Sequence, residues 1–416
     1  MRICIHRGTK QIGGTCIEVE AQGKRIALDV GLPLDADETT KTESLLPSVS
    51  GFTDPDDSLL GVIISHPHMD HYGLAVFLRP DLPVYIGERA NAILKVARNF
   101  VPDGMCFENP IYYEAWKPFD VGPFHVTPYL ADHSAFDAYA FLIEADDQRL
   151  FYSGDFRGHG RKKKVFEKLI KNPPKDIDVL MMEGTTISRT GTEQGFPEED
   201  DLEEAFVEDI KRTEGFYLVY TSAQNIDRVV TVYRAAKRTG RRLVIDLYAA
   251  IILEATGTDS IPQSSWDDVN LYIPFRQRIY VKDNELFDDL KRHSVNRIHP
   301  EELAENPNKY VMLIRPWMRR DKALAENTTG ARCAYSMWSG YLEEDSLKTF
   351  RKWLDERNIP MTQIHTSGHA PVKDLKKFAT ALAPKRLVPI HSFEADRFAE
   401  HFENVETKND GEWWEV

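Results

Sequence analysis

The segment His66-Pro-His-Met-Asp-His71 contains four potential metal ligands within six residues. Alternate residues of an extended chain point the same way, so His66 and His68 can bind one metal ion together. The turn that follows presents Asp70 and His71 side by side toward a neighbouring position. Neutral imidazoles and carboxylates are ligands that zinc accepts. The spacing predicts a metal centre, because four such groups buried without partners would be costly.

Three further residues at predicted strand ends extend this set. His133 lies in Ala-Asp-His-Ser, Asp155 in Ser-Gly-Asp, and His391 follows an apolar run. Each of them alone would be interpreted as a structural residue. Two ions about 3.5–4 Å apart can activate water and hold phosphate or carbonyl oxygens. The combined set predicts two sites that share Asp155, one of His66, His68, His133 and Asp155 and one of Asp70, His71, His391 and Asp155.

The elements that would position these ligands change character along the chain. Up to about residue 185, short apolar runs such as Leu60–Ser65 and Leu150–Ser153 predict many strands and few helices. From about 200 to 350, strands and helices alternate, as in Gly215–Tyr220 followed by Asn225–Thr239. Such alternation is typical of a parallel α/β sheet. The sequence therefore predicts an α/β protein with two different architectures.

The composition is that of a folded protein and excludes several classes. The 416 residues are 42% hydrophobic and 11% aromatic, which excludes a disordered chain. The net charge of −14 argues against nucleic-acid binding by bulk charge. No apolar run approaches a membrane span, and the N-terminus does not read as a secretory signal. The four cysteines lie far apart without a CxxC pair, so we expect a cytoplasmic protein.

The order of these motifs resembles the metallo-β-lactamase superfamily, whose first motif is similar to Asp29-Val-Gly. More specifically, the chain resembles the β-CASP branch of the ribonuclease J type. Glu183, His369 and His391 match the motifs A, B and C of that branch. The resemblance implies a metallo-β-lactamase αββα sandwich with an inserted β-CASP parallel α/β domain. Residues 1–190 and 351–416 would form the sandwich, and residues 191–350 the insertion.

The same resemblance implies an activity, with a role for each motif. The activity is hydrolysis of RNA phosphodiester bonds by a hydroxide bridging two Zn2+ ions per chain, with Mn2+ or Mg2+ as substitutes. The mode would be endonuclease, 5′-3′ exonuclease or both. Asp70 is counted with the catalytic residues as well as the ligands. Glu183 would orient a neighbouring histidine, and His369 would stabilise the scissile phosphate or protonate the leaving oxygen. The expected partner is single-stranded RNA; a homodimer stays open.

Candidate substrate contacts come from the resemblance and from one predicted turn. By the resemblance, His365, Ser367 and Gly368 would contact RNA phosphates. Ser222 and Asn225, at a predicted strand-to-helix turn, are weaker candidates because a turn at a helix N-terminus can bind an anion. For Ser222, helix capping is the alternative.

An arginine-rich segment of the predicted insertion has two interpretations. Arg315, Arg319 and Arg320, interleaved with Trp317, would line a single-strand channel through charge and stacking. An ordinary solvated face explains the same residues.

Other functions remain as alternatives. A metallo-hydrolase of a small ester or lactone would use the same ions but would leave Glu183, His369 and the insertion without a role. A β-CASP DNA nuclease is the alternative within the branch, and His391 favours RNA because DNA-repair members typically have Val there. A non-catalytic RNA-binding subunit is disfavoured, since every ligand position is filled.

Overall fold

The computed structural model describes residues 1–34, 36, 41–101, 104–189 and 191–416, without the side chains of residues 325, 326 and 346. In this part of the chain the strands are β1 (Arg2–Arg7), β2 (Cys16–Ala21), β3 (Lys24–Leu28), β4 (Leu59–Ile63), β5 (Val84–Gly87), β6 (Ile111–Tyr113), β7 (Phe119–Val121), β8 (Phe124–Leu130), β9 (Tyr139–Ala145), β10 (Gln148–Tyr152), β11 (Val179–Glu183), β12 (Tyr217–Tyr220), β13 (Arg242–Ile245), β14 (Val269–Tyr272), β15 (Arg297–Ile298), β16 (Tyr310–Leu313), β17 (Arg332–Tyr335), β18 (Met361–Gln363), β19 (Arg386–Ile390) and β20 (Trp413–Glu415).

The α-helices in the same ranges are α1 (Met69–Tyr72), α2 (Glu88–Ala97), α3 (Lys163–Lys171), α4 (Glu199–Lys211), α5 (Ile226–Arg238), α6 (Leu247–Ala255), α7 (Phe275–Asp283), α8 (Phe287–His293), α9 (Pro300–Glu305), α10 (Lys322–Glu326), α11 (Asp345–Glu356) and α12 (Val372–Leu382). None of the described helices has both the length and the apolar character that crossing a membrane requires.

The chain divides into two compact units. The first unit contains residues 1–196 and 368–416, and the second contains residues 197–367. The sequence predicts that the chain returns from the second unit to the first after residue 350, whereas in the structure it returns after residue 367. The difference arises because β18 pairs in parallel with β17, and because Leu347, Phe350 and Leu354 of α11 lie in the core of the second unit.

The first unit has two sheets with helices on their outer faces. One sheet has the strand order β20-β1-β2-β3-β4-β5-β6 and the other the order β19-β11-β10-β9-β8-β7. A shared core between the sheets contains Ile3, Val19, Phe141 and Met181. The predicted αββα layering is therefore confirmed.

Residue alternation along the strands builds these layers. Phe141 of β9 points into the core between the sheets, whereas its neighbour Leu142 joins an outer core with Phe378 of α12. Likewise Ile63 of β4 faces the inner core, and Val62 packs in the outer core that includes Leu94 of α2. Successive strand residues point to opposite faces, so a strand covered on both sides is apolar throughout.

The strand directions in the first unit bring several carboxyl ends to one edge. Strand β11 pairs in parallel with both β10 and β19, so all three end at the same side of the sheet. Strand β8 runs in that direction too, because β9 is antiparallel to both β8 and β10. At this edge the amide of Tyr139 donates to the carbonyl of Ser65, which follows β4 of the other sheet. The edge is where the predicted ligands collect.

The second unit is built around one parallel sheet of seven strands in the order β15-β14-β13-β16-β12-β17-β18. All six strand pairings in it are parallel. One face packs a core that includes Leu218, Val244, Met312 and Cys333, one residue from each of four central strands. This confirms the parallel α/β architecture predicted for the inserted part of the chain.

Candidate metal centre

The loop after β4 and the loop after β8 form a cluster of three histidines. The ring of His66 lies 4.9 Å from that of His68 and 4.8 Å from that of His133, measured between centroids. The Nε2 of His133 is 3.3 Å from Nδ1 of His68. One nitrogen from each ring lies within 4.8 Å of the others, close enough to bind one metal ion.

A second group joins α1 to the ends of β10 and β19. It contains Asp70, His71, Asp155 and His391, and one ligand atom of each lies within 4.8 Å of the others. The Nε2 of His391 is 3.2 Å from Asp70 Oδ2, and the Nε2 of His71 is 3.2 Å from Asp155 Oδ2. His391 has a φ of +49°, a left-handed conformation that turns the chain directly after β19.

Asp155 lies between the two groups. Its Oδ2 is 3.2 Å from His71 Nε2 and 3.8 Å from His66 Nε2, so one oxygen approaches a histidine of each group. The side chain is only 2% exposed. Asp155 thus belongs to the second group and approaches the first through His66.

Polar atoms without partners test whether a cation fits these residues. In the described part of the chain, His66 Nε2, His133 Nδ1 and Asp155 Oδ1 are buried and have no hydrogen-bond partner. Leaving buried polar atoms unsatisfied costs roughly 1–3 kcal/mol each. Imidazole nitrogens and carboxylate oxygens together are a donor set that zinc accepts. The residues therefore fit a bound metal.

The electrostatics differ between the two groups. Burial lowers the pKa of His66 and His133, which keeps their rings neutral, the form that binds metal. Burial also opposes protonation of His71, but the carboxylates of Asp155 and Asp70 outweigh it and raise its pKa well above the usual value. The second group contains two carboxylates, and the negative charge that raises the pKa of His71 would also attract a cation.

Asp29 positions His71 from outside the cluster. Its Oδ2 is 2.8 Å from His71 Nδ1 and accepts hydrogen bonds from Ser65 Oγ at 2.7 Å and Tyr152 Oη at 2.6 Å. Its Oδ1 accepts from the Ser65 amide at 2.7 Å. A carboxylate that accepts from Nδ1 leaves Nε2 as the ligand atom, which is how such partners orient metal-binding histidines. Ser65 and Tyr152 carry no motif signal, so sequence reasoning missed both.

We predict that Asp29→Asn weakens metal binding about 10–100-fold, the usual effect of removing such a partner. The asparagine side chain carries no negative charge, so its hydrogen bond with His71 Nδ1 is weaker than that of the carboxylate. Competition with a chelator of known affinity measures the change, with circular dichroism as a check of folding. The control Asp178→Asn alters an acid beside the amino end of β11 and should leave metal affinity unchanged; equal affinity in the two variants would contradict the prediction.

Glu183, the last residue of β11, contacts the predicted catalytic histidine. Its Oε2 is 3.0 Å from His369 Nδ1 and accepts a 2.7 Å hydrogen bond from Thr185 Oγ1. Its Oε1 accepts from the amide of Phe156 at 2.8 Å. The His369 side chain is 21% exposed, whereas Glu183 is fully buried. Burial disfavours a charged His369, but Glu183 and Asp155 together raise its pKa.

Thr185 is a residue that the sequence analysis missed. Its Oγ1 lies 2.9 Å from His391 Nδ1 and 3.2 Å from His369 Nδ1, in addition to its bond to Glu183. The hydroxyl therefore connects both histidines of the C-terminal segment. Its place two residues after Glu183 in Met-Glu-Gly-Thr-Thr was the available signal.

A buried bridge joins the two loops that carry His133 and Asp155. Asp132 accepts hydrogen bonds from the Arg157 amide through its carbonyl at 2.6 Å and from the Gly160 amide through Oδ2 at 2.8 Å. Lys162 Nζ donates to the carbonyl of His133 at 3.1 Å. The loops thus support each other through contacts between chain neighbours of the ligands.

The remaining candidates occupy different positions. Ser222 Oγ accepts from the amide of Gln224 at 3.2 Å, and Asn225 Oδ1 caps α5 by accepting from the Arg228 amide at 3.1 Å, so the capping residue is Asn225 and not Ser222. His365 and Ser367 end the second unit after β18, and Gly368 begins the last segment of the first unit. A Cβ at Gly368 would lie 2.7 Å from Ser134 Oγ, so a larger residue would require the Ser134 side chain to move.

Arg315 differs from the arginines that follow it. Its Nε donates to Asp246 Oδ2 at 3.0 Å, and its guanidinium lies 5.1 Å from the Tyr248 ring centroid. Arg315 is thus paired within the second unit and is not among the residues that line the cavity of Arg319 and Arg320.

Two family models match the chain. Residues 46–198 match a beta-lactamase superfamily domain, and residues 355–416 match a Zn-dependent metallo-hydrolase RNA specificity domain. Together the two matches cover just over half of the chain, and all seven predicted metal ligands lie within them.

Curated relatives match over most of the chain at low identity. Ribonuclease J of Mycoplasma genitalium is 20% identical over 409 residues, which covers 92% of this chain and 66% of the relative. Ribonuclease J of Helicobacter pylori is 22% identical over 416 residues, which covers 95% of this chain and 56% of the relative. The chain therefore spans just under two thirds, or less, of the length of these relatives.

A solved structure shares the whole fold. It is the crystal structure of a protein of unknown function from Enterococcus faecalis V583, with a TM-score of 0.80, 21% identity and 99% coverage of both chains. The likeness extends over both units and shows the fold alone.

Proposed function

We propose that this chain, a member of the metallo-β-lactamase superfamily that is similar to ribonuclease J, is a metal-dependent ribonuclease hydrolysing RNA phosphodiester bonds. The observation that carries the proposal is the position of Asp155 between two ligand groups, with Glu183 and His369 beside them. The match of residues 355–416 to an RNA specificity domain supports RNA as the substrate class.

We further propose two zinc ions per chain, with Mn2+ or Mg2+ as substitutes. His66, His68 and His133 would hold one ion, Asp70, His71 and His391 the other, and Asp155 both. Bound zinc would supply Lewis acidity toward phosphate oxygens and lower the pKa of water. The unsatisfied atoms of His66, His133 and Asp155 support this assignment.

In this proposal the protein residues position the phosphate and move protons. His369 faces the scissile phosphate, where its imidazole stabilises developing charge or protonates the leaving oxygen. Glu183 holds Nδ1 of that ring at 3.0 Å, so Nε2 is the atom directed to substrate. The Thr185 hydroxyl contacts both Glu183 and His391 and so fixes the positions of these two side chains relative to each other.

Five residues are proposed to contact RNA. His365, Ser367 and Gly368 would bind phosphates in the segment before His369, with Ser222 and Asn225 as weaker contacts. The Asn225 amide group caps α5 through its oxygen, which leaves its NH2 group as the donor for a phosphate.

The proposed activity is tested with single-stranded RNA and DNA of the same sequence. We predict that the purified protein cleaves the RNA at least about tenfold faster, because the 2′-hydroxyl distinguishes the two polymers. A chelator should abolish cleavage, and added Zn2+ should restore it. Comparable turnover of both polymers would favour a DNA nuclease, and turnover only of small esters or lactones would overturn the nuclease proposal.

The mode of cleavage is a separate question with its own substrates. Linear RNAs with a 5′-monophosphate or a 5′-triphosphate are compared with a circular RNA. Cleavage of the circle demonstrates endonuclease activity, and dependence on the monophosphate indicates the 5′-3′ exonuclease mode.

Location and assembly complete the proposal. We propose a cytoplasmic protein, since its four cysteines are free thiols and three of them are buried. A homodimer is tested by light scattering of the purified chain.

A further inference from the structure

An arginine-rich cavity lies in the second unit, outside the metal centre. Its volume is about 260 Å3, and its lining residues are Phe275, Arg276, Trp317, Arg319, Arg320 and Asp321. We refer to these residues as the arginine patch. A second, more open cavity of about 530 Å3 shares Arg319 and Arg320 and adds Lys352, Trp353 and Arg357 among its lining residues. Because they share two lining residues, the two cavities are neighbours on the surface of the second unit.

The charge of this surface is positive. The acid in the arginine patch, Asp321, is turned inward and 8% exposed, where it accepts hydrogen bonds from Tyr272 Oη and from the Phe275 amide at 2.8 Å. In the adjoining cavity, Glu356 lies 3.8 Å from Lys352. Arg276, Arg319 and Arg320 have no such carboxylate among the described side chains. On a chain with a net charge of −14, this group of arginines is a local positive region that attracts anionic ligands.

Aromatic rings are interleaved with the arginines. Phe275 is 67% exposed, although it is a large apolar side chain at the first position of α7. The guanidinium of Arg276 lies 6.0 Å from the Trp317 ring centroid, and that of Arg357 lies 5.8 Å from the Trp353 ring centroid. Trp317 is half-buried and Trp353 is buried, so Phe275 is the exposed ring beside these cations. An exposed ring beside cations is the arrangement on which an unpaired base stacks while its phosphate is neutralised.

The patch also lies at the edge where ligands bind in this class of sheet. Phe275 and Arg276 follow the carboxyl end of β14, and the short 3-10 helix Pro316–Arg320 follows the carboxyl end of β16. Open parallel sheets bind ligands outside the carboxyl ends of their strands. Arg242 lies at the opposite edge of the same sheet, at the amino end of β13. It provides a control arginine that is remote from the patch.

We propose that the arginine patch binds single-stranded RNA, with Arg319 and Arg320 on phosphates and Phe275 stacked on a base. This deepens the proposed ribonuclease function and rests on it. A simple anion would explain the arginines but not the exposed ring, and an acidic polypeptide would not need a flat aromatic surface. Duplex RNA exposes no base faces for stacking.

The test uses the whole protein and a dye-labelled 20-nucleotide single-stranded RNA with phosphorothioate linkages, followed by fluorescence anisotropy. The double variant Arg319→Ala with Arg320→Ala should bind about tenfold more weakly. Each phosphate contact on a single strand contributes about 0.7 to the slope of log affinity against log salt. Loss of two contacts should therefore make this slope less steep by about 1.4. Phe275→Ala should weaken binding at least about fivefold and leave the salt dependence unchanged.

A charge-matched control is Arg212→Ala with Arg242→Ala, at the other edge of the sheet, which should leave affinity and salt dependence as in the unmodified protein. Equal effects of both double variants would show bulk charge only and would overturn the proposal, as would unchanged binding in the Arg319/Arg320 variant. RNA cleavage by the unmodified protein is measured in parallel. Its absence would count against the proposed function, whereas its presence together with an unaffected Arg319/Arg320 variant would reject the patch alone.

Discussion

Asp155→Ala is expected to remove at least one metal ion and to lower RNA cleavage at least about 10⁴-fold, the scale seen when one member of a catalytic unit is lost. The reason is the position of this carboxylate, whose Oδ2 lies 3.2 Å from His71 Nε2 and 3.8 Å from His66 Nε2. Removing it takes the proposed shared carboxylate from both ligand groups. Metal analysis of the purified variant, followed by RNA cleavage at saturating zinc, measures both effects.

The matched control for this variant is Asp178→Ala. Asp178 lies just before β11, at the end of this strand opposite to Glu183. It accepts hydrogen bonds from the Arg149 amide and from Lys385. It should keep two equivalents of metal and near-normal cleavage. Retention of both ions by Asp155→Ala would contradict the shared-ligand assignment, even if activity were lost.

His369→Ala is expected to keep its metal and to lower the rate of the chemical step by about 10²–10³-fold, or about 3–4 kcal/mol. His369 Nδ1 lies 3.0 Å from Glu183 Oε2 and 3.2 Å from Thr185 Oγ1, and the side chain is partly exposed. A ligand atom of His369 also lies within 4.8 Å of Asp155, Glu183 and His391, so the metal content of the variant decides between a substrate contact and a metal ligand. The loss should appear in kcat, with KM changed much less.

Two other histidines make this test specific. His391→Ala removes a member of the ligand group of Asp70, so metal content and activity should fall together. His401→Ala alters a histidine of the same unit that pairs with Glu193 at 3.2 Å, and it should change neither. A metal-replete His369→Ala protein with near-normal cleavage would show that this histidine is structural.

Residue types and local spacing determined the chemistry of the centre. The segment from His66 to His71 contains four potential ligands within six residues, and this density predicts a bound cation. The alternation of strands with helices between 200 and 350 was equally local, because a buried parallel strand and its crossover helix each leave a continuous signature. The two architectures were therefore predictable. The residue at which the chain returns to the first unit could not be predicted. Strand β18 belongs to the second unit because it pairs with β17, and its three residues alone do not indicate this.

Only the tertiary structure decided which distant side chains support the ligands. Ser65, Tyr152 and Thr185 carry no motif signal in sequence, and the motif of Asp29 does not show which ligand it supports. They come together because the carboxyl ends of strands from both sheets meet at one edge. Likewise, Arg315 and Arg319 are four residues apart in one basic segment, yet one is bound by Asp246 and the other lines an open cavity. Spacing along the chain predicts which neighbouring residues can bind the same ligand. Which of them have a buried carboxylate beside them depends on contacts between elements that are far apart in sequence.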